Sequence, residues 1–168
     1  RSFELLLPHL PDSIRAFAVT QRGHGEATRP ESYDPDDFAR DIEGFMDAVG
    51  LEKAVVVGHS MGSFMAQRVA ANYPERVSGL VLIGSFTTCK DNQGVLEFFE
   101  TAIKPLEDPV PEQFAREFQE STFALPVPEW FVKTAVGESL KVPARVWKAA
   151  CETMIVNDNT DRLGRIEA

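Results

Sequence analysis

Ala54-Val55-Val56-Val57-Gly58-His59-Ser60-Met61-Gly62 is the stretch on which the fold turns. Residues 54–57 form a short apolar run, β-branched at three positions, and a G-x-S-x-G pentapeptide, Gly58-His59-Ser60-Met61-Gly62, follows at once. From Ser60 to Tyr73 the spacing is helical, and Pro74 stands just beyond. The apolar run reads as a strand buried on both faces, as parallel strands tend to be. A strand, a tight turn and a helix in direct succession give Ser60 a special position. The turn has little room for side chains, so Gly58 and Gly62 flank it and the Ser60 hydroxyl is held exposed at the carboxyl end of the strand. The backbone N–H of Met61, near a helix N-terminus, then points to where negative charge would form on an attacked carbonyl. The plainer reading is a glycine-rich helix start in which Ser60 only caps.

Working outward, Arg15–Thr20 (RAFAVT) and Gly79–Ile83 (GLVLI) also read as short buried strands. Between the first two strands, Asp34 suits an N-cap, Pro35 the first helical position, and Asp36 and Asp37 the positive helix end. Phe38, Ile42, Phe45, Met46 and Val49 share one helical stripe, which Gly50 ends. Strand, helix, strand, helix, strand implies a parallel sheet of the α/β class. Beyond residue 87 the pattern changes. Six of the 11 prolines lie between Pro105 and Pro143, and six of the 12 phenylalanines between Phe98 and Phe131. Only helical stripes remain there: Val95 to Ile103, Phe114 with Phe118, and Val146, Trp147, Ala150, Cys151, Met154 and Ile155. The expected organisation is an α/β core over residues 1–87, a helical cap over 88–163, and a return to the core at 164–168.

Composition narrows the function classes. The chain has 168 residues, 43% of them hydrophobic, and a formal net charge of −9. That balance gives no electrostatic reason to bind nucleic acid or an anionic membrane. No apolar run approaches a membrane span, and the first residues do not resemble a signal peptide, so a cytoplasmic protein is expected. Cys89 and Cys151 are too isolated to suggest a disulfide framework or a zinc site. His24 and His59 lack metal-ligand partners at suitable spacing and read as parts of their turns. Gly23-His24-Gly25 continues to Thr28 and Pro30, not into a dinucleotide-binding helix. Neither a metal nor a cofactor is expected.

These motifs together resemble the α/β-hydrolase family. Thr20-Gln21-Arg22-Gly23-His24-Gly25 is similar to its D-x-R-G-x-G loop, with Thr20-Gln21 standing where many members carry Asp. The GHSMG elbow follows at the usual distance, and Asn72-Tyr73-Pro74-Glu75-Arg76-Val77 resembles the segment after the elbow helix. The resemblance covers residues 1–87 well and the helical remainder only in length, position and helicity. It implies a partial α/β-hydrolase core with parallel strands plus an all-helical cap. It also implies Ser60 as nucleophile, Met61 N–H as an oxyanion donor, and Gly58, His59 and Gly62 as the elbow turn.

A serine nucleophile needs a histidine base oriented by a carboxylate, and in this family both follow the serine along the chain. His9, His24 and His59 all precede Ser60, and Asp91, Asp108, Asp158 and Asp161 fall in expected cap segments. The expectation is therefore an internal piece of a longer hydrolase, inactive alone. Its triad acid and histidine are expected beyond Ala168, and its second oxyanion donor before Arg1. The resemblance also implies a further strand between those at Arg15 and Ala54, and a sheet without it would have unpaired edges. The expected activity of the parent is hydrolysis of a small carboxylic ester or lactone through an acyl-enzyme. Perhydrolase or carbon–carbon hydrolase chemistry without a cofactor, and ligand binding without turnover, are the alternatives. Serine at the elbow disfavours the carboxylate-nucleophile chemistry of dehalogenases and epoxide hydrolases.

Overall fold

The computed structural model describes residues 3–168. It divides into two compact units, each assembled from two segments of chain. The larger comprises Pro30–Pro105 with Trp147–Ala168, and the smaller comprises the residues up to Arg29 with Leu106–Val146.

The larger unit begins with α1, Pro35–Ala48, whose ends form as the sequence dictates. The Asp34 carboxylate accepts the N–H of Asp36 at 2.8 Å, and Pro35, Asp36 and Asp37 occupy the first turn. At the other end Gly50 takes φ +68°. There the N–H groups of Gly50 and Leu51 donate to the carbonyls of Asp47 and Met46 at 3.1 and 2.8 Å, the paired closure of a Schellman motif. Phe38 and Met46 are buried along the expected stripe.

Next come β1, Ala54–His59; α2, Met61–Asn72; a 3₁₀ turn at Pro74–Arg76; and β2, Val77–Ile83. β1 and β2 pair in parallel, in register from Val55 opposite Gly79 to His59 opposite Ile83. Parallel pairing needs a crossover, and α2 supplies it. On one sheet face, Val56 and Leu80 pack against Val69 and Ala70 of α2, Ala39 of α1 and Val77. The other face is open. Val55, Val57, Val81 and Ile83 are 57, 43, 45 and 43% exposed, which corrects the expectation of strands buried on both faces. An unbroken apolar run states that both faces suit burial; it does not state which layers are present to bury them. Arg15–Thr20 is likewise no strand and is exposed throughout. Its backbone finds no partner strand, since among the described residues the sheet consists of β1 and β2 alone.

After β2, α3 spans Gln93–Phe98 and widens into a π-helical turn at Phe99–Ile103. The change of pitch breaks the expected stripe, and of it only Ile103 is buried. In the smaller unit, α4, Glu112–Ser121, packs against α5, Glu129–Leu140, through Ala115, Val132 and Val136. Phe114 and Phe118 stack with centroids 6.3 Å apart on the spacing the sequence displays. The last helix, α6, covers Ala144–Val156, with Val146, Ala150 and Cys151 buried as its stripe predicts. The Asp108 carboxylate accepts the N–H of Ala144, its first residue, at 2.8 Å. Among the described residues no helix is long and apolar enough to cross a membrane.

Candidate active site

The turn between β1 and α2 is strained at one residue. Ser60 has φ +52° and ψ −122°, and it is the one non-glycine residue with positive φ among those described. Such a conformation costs a side-chain-bearing residue about 1–3 kcal/mol and persists only where its surroundings impose it. Three features impose it here. The N–H of Ser60 donates to the carbonyl of Ile83 at 2.9 Å, carrying the parallel ladder one residue past β1. The Ser60 carbonyl accepts the N–H groups of Ser63 and Phe64, at 2.8 and 3.3 Å, and so starts α2 immediately. Finally, the strand and the first helical turn lie so close that a Cβ at Gly58 would stand 2.3 Å from the carbonyl oxygen of Gly62.

The chain therefore reverses sharply and presents Ser60 at its apex. Ser60 and His59 are exposed, Met61 and Gly62 half-buried, and Gly58 fully buried. The Ser60 side chain caps none of the helix amides, so the reading of a mere capping serine does not describe this turn. Because α2 begins at Met61, the Met61 N–H is among the helix amides that lack an intrahelical acceptor. It belongs to the positive end of the helix, where developing negative charge is stabilised.

The loop after β2 is tied to α2 by contacts that no local pattern announces. The Gln67 amide donates to the Ser85 hydroxyl and the Phe86 carbonyl at 2.8 and 2.9 Å. Asn159, 1% exposed, donates through its side chain to the Phe64 carbonyl at 2.9 Å, and its backbone N–H reaches the Thr87 carbonyl at 2.8 Å. The Phe64 and Phe86 rings stack, with centroids 5.5 Å apart. These contacts join residues between 18 and 95 positions apart in the chain, which is why sequence patterns do not reveal them.

Two of the acidic candidates, Asp158 and Asp108, are engaged elsewhere. Asp158 pairs with Lys90 at 2.8 Å and accepts the N–H of Thr160, and these bonds hold its carboxyl well below the usual range. Asp108 caps α6, as described. The His24 Nδ1 lies 3.0 Å from the carbonyl of Arg22, and burial holds that imidazole below its ordinary pKa. His24 is thus a built-in part of its turn, where Gly23 and Gly25 take φ +83° and +47°. Arg29 closes the same turn through a 2.7 Å bond to the Gly25 carbonyl. Cys89 and Cys151 are free and buried; burial raises both thiols, with Cys151 pushed up to about 11.

The profile of the α/β hydrolase fold matches residues 1–142 of the sequence. The chain belongs to the α/β-hydrolase family. Among its relatives is a 2-(acetamidomethylene)succinate hydrolase of Mesorhizobium japonicum, 40% identical over 82 residues, a segment that is 48% of this chain and 30% of the relative. A 2-hydroxymuconate semialdehyde hydrolase of a Pseudomonas species is 37% identical over 86 residues, 50% of this chain and 30% of the relative. An esterase from Exiguobacterium antarcticum superposes with a TM-score of 0.76 over 90% of this α/β-hydrolase chain and 59% of its own, at 23% identity. That last likeness is one of fold. The matched segments span less than a third of these curated relatives, and the superposition under two thirds of the esterase.

Proposed function

We propose that this α/β-hydrolase is a serine hydrolase acting on a small carboxylic ester or lactone through an acyl-enzyme on Ser60. The observation that carries the reading is the positive φ of Ser60 at a turn so tight that only glycine fits at position 58. Backbone strain of this kind is retained where it holds a reactive group in place, and the serine it presents is uncapped and exposed. In the proposed reaction the Ser60 Oγ attacks the substrate carbonyl and its proton passes to a base. The Met61 N–H donates to the resulting oxyanion, the alcohol or ring oxygen leaves, and water releases the acid.

The base is a histidine with a carboxylate behind it, and the proposal assigns both to sequence following these 168 residues, with a second oxyanion donor before them. The division into a core over 1–87 with Gly58, His59 and Gly62 at its elbow, a cap over 88–163 and a return at 164–168 belongs to the same proposal. So does a cytoplasmic location, which the two buried free thiols support. The proposed reaction draws on no metal or cofactor, and its partner is the small-molecule substrate. A second reading, cleavage of a carbon–carbon bond, draws support from the likeness to the 2-hydroxymuconate semialdehyde hydrolase. Both readings place the same serine at the reacting carbonyl.

The test is Ser60→Ala in the protein expressed from its complete reading frame. Turnover of an activated ester is expected to fall by several orders of magnitude with the fold intact. A variant that keeps more than about a tenth of wild-type kcat refutes the assignment.

A further inference from the structure

The peptide unit joining Ser60 to Met61 carries two groups with opposite directions. Its carbonyl and its N–H are antiparallel, as in any trans peptide, so whatever holds the Ser60 carbonyl also aims the Met61 N–H. That carbonyl accepts three donors. The Phe64 N–H is the ordinary helical one, and at 3.3 Å it is the longest of them. The other two both come from Ser63: its N–H at 2.8 Å and its hydroxyl at 2.6 Å. Ser63 is completely buried, which shields the donor side of this bond from water. The angle that turns this peptide plane is the ψ of Ser60, −122°, which belongs to the strained residue itself. A plane next to a strained torsion needs fixing more than one in a relaxed helix does.

We infer that Ser63 is a positioning residue whose buried hydroxyl, donating to the Ser60 carbonyl, fixes the peptide plane that directs the Met61 N–H toward the oxyanion. The inference rests on the proposal that Ser60 is the nucleophile. Ser63 does not touch the reacting atoms, since its hydroxyl is spent on the opposite side of the peptide from the Met61 N–H. Its effect should fall on kcat, because the oxyanion donor acts on the transition state and much less on the bound substrate.

The experiment compares four variants of the protein expressed from its complete reading frame: Ser60→Ala, Ser63→Ala, Ser63→Thr and Ser63→Val. Alanine is the better helix former, so Ser63→Ala does not threaten α2. Thr and Val add similar bulk at a completely buried position, and only Thr keeps a hydroxyl that can reach back to a preceding carbonyl. Ser63→Ala is expected to lower kcat about tenfold with KM within about twofold, and to slow phosphonylation of Ser60 by a similar factor. Two donors on the carbonyl remain, so the loss stays below the hundredfold or more expected when an oxyanion donor is removed outright. Ser63→Thr is expected to exceed Ser63→Val in kcat by about the same tenfold, at equal folded fraction by circular dichroism. Wild-type kcat in Ser63→Ala, or equal kcat in the Thr and Val variants, overturns the inference while a dead Ser60→Ala leaves the nucleophile standing. Full turnover in Ser60→Ala overturns both.

Discussion

A methyl group placed at position 58 tests the tightness of the elbow directly. In Gly58→Ala the new Cβ would lie 2.3 Å from the Gly62 carbonyl oxygen, and 2.6 Å from both the Gly62 carbonyl carbon and the Ser63 Cα. All three are backbone atoms, so no side-chain rotation relieves the clash. Restoring ordinary contact requires the first turn of α2 to retreat from β1 by about 1 Å. α2 cannot retreat freely, because every residue from Ser63 to Ala71 is buried. Forced backbone shifts in a packed interior cost about 3 kcal/mol at the upper end of the usual range. For a chain of this size that is a fall in Tm of roughly 6–12 °C. The assay is thermal unfolding by circular dichroism, with Gly44→Ala as the control. Gly44 lies inside α1 with nothing within 4 Å of its would-be Cβ. There the same methyl should stabilise by about 1 kcal/mol through helix propensity. The two substitutions are thus expected to have opposite signs. A Gly58→Ala protein that unfolds within about 2 °C of wild type would refute the packing argument for the elbow.

Three further outcomes are expected. Ser60→Gly relieves the positive φ and should raise stability by about 1 kcal/mol in urea unfolding while abolishing turnover; a destabilised glycine variant would mean that the turn is not strained. The raised thiol of Cys151 makes a signed prediction, because the unfolded chain ionises first. Its contribution to stability should be complete below pH 9 and lost as the pH rises from 9.0 to about 11. Cys151→Ala should therefore flatten the urea midpoint over that window, and an unchanged slope would contradict the burial. His24 runs the other way: its lowered pKa makes its contribution complete above 6.5 and lost as the pH falls toward the folded value, and His24→Gln should remove that acid dependence from the urea midpoint.

The parts of this protein that sequence reveals are those decided within a few residues. Asp34, Pro35 and Gly50 set the ends of α1 because caps act over one turn of chain. The elbow is legible for the same reason: strand, glycine pair and helix are contiguous, and the strain at Ser60 follows from their contiguity. What failed depended on layers and partners distant in sequence. Val55, Val57, Val81 and Ile83 look like core, and their exposure is decided by which elements cover the sheet, a fact that no strand encodes. RAFAVT at Arg15–Thr20 has strand composition, yet a strand exists only beside another. Asn159 and Gln67, which pin the loop after β2, carry no local signal at all. Ser63 had a faint one: a hydroxyl residue three positions after the residue that caps the helix can reach back to that residue's carbonyl, and here it does.

The central claim is that Ser60 is an activated nucleophile, and the most direct measurement is to locate a covalent label. A fluorophosphonate probe reacted with the protein expressed from its complete reading frame, followed by peptide mass spectrometry, should place one adduct on the peptide containing Gly58-His59-Ser60-Met61-Gly62, at Ser60. The 168-residue chain treated in parallel should label far more slowly, since the proposal puts its base outside that sequence. An adduct on another residue, or an intact protein that hydrolyses esters with Ser60 unlabelled, would contradict the account.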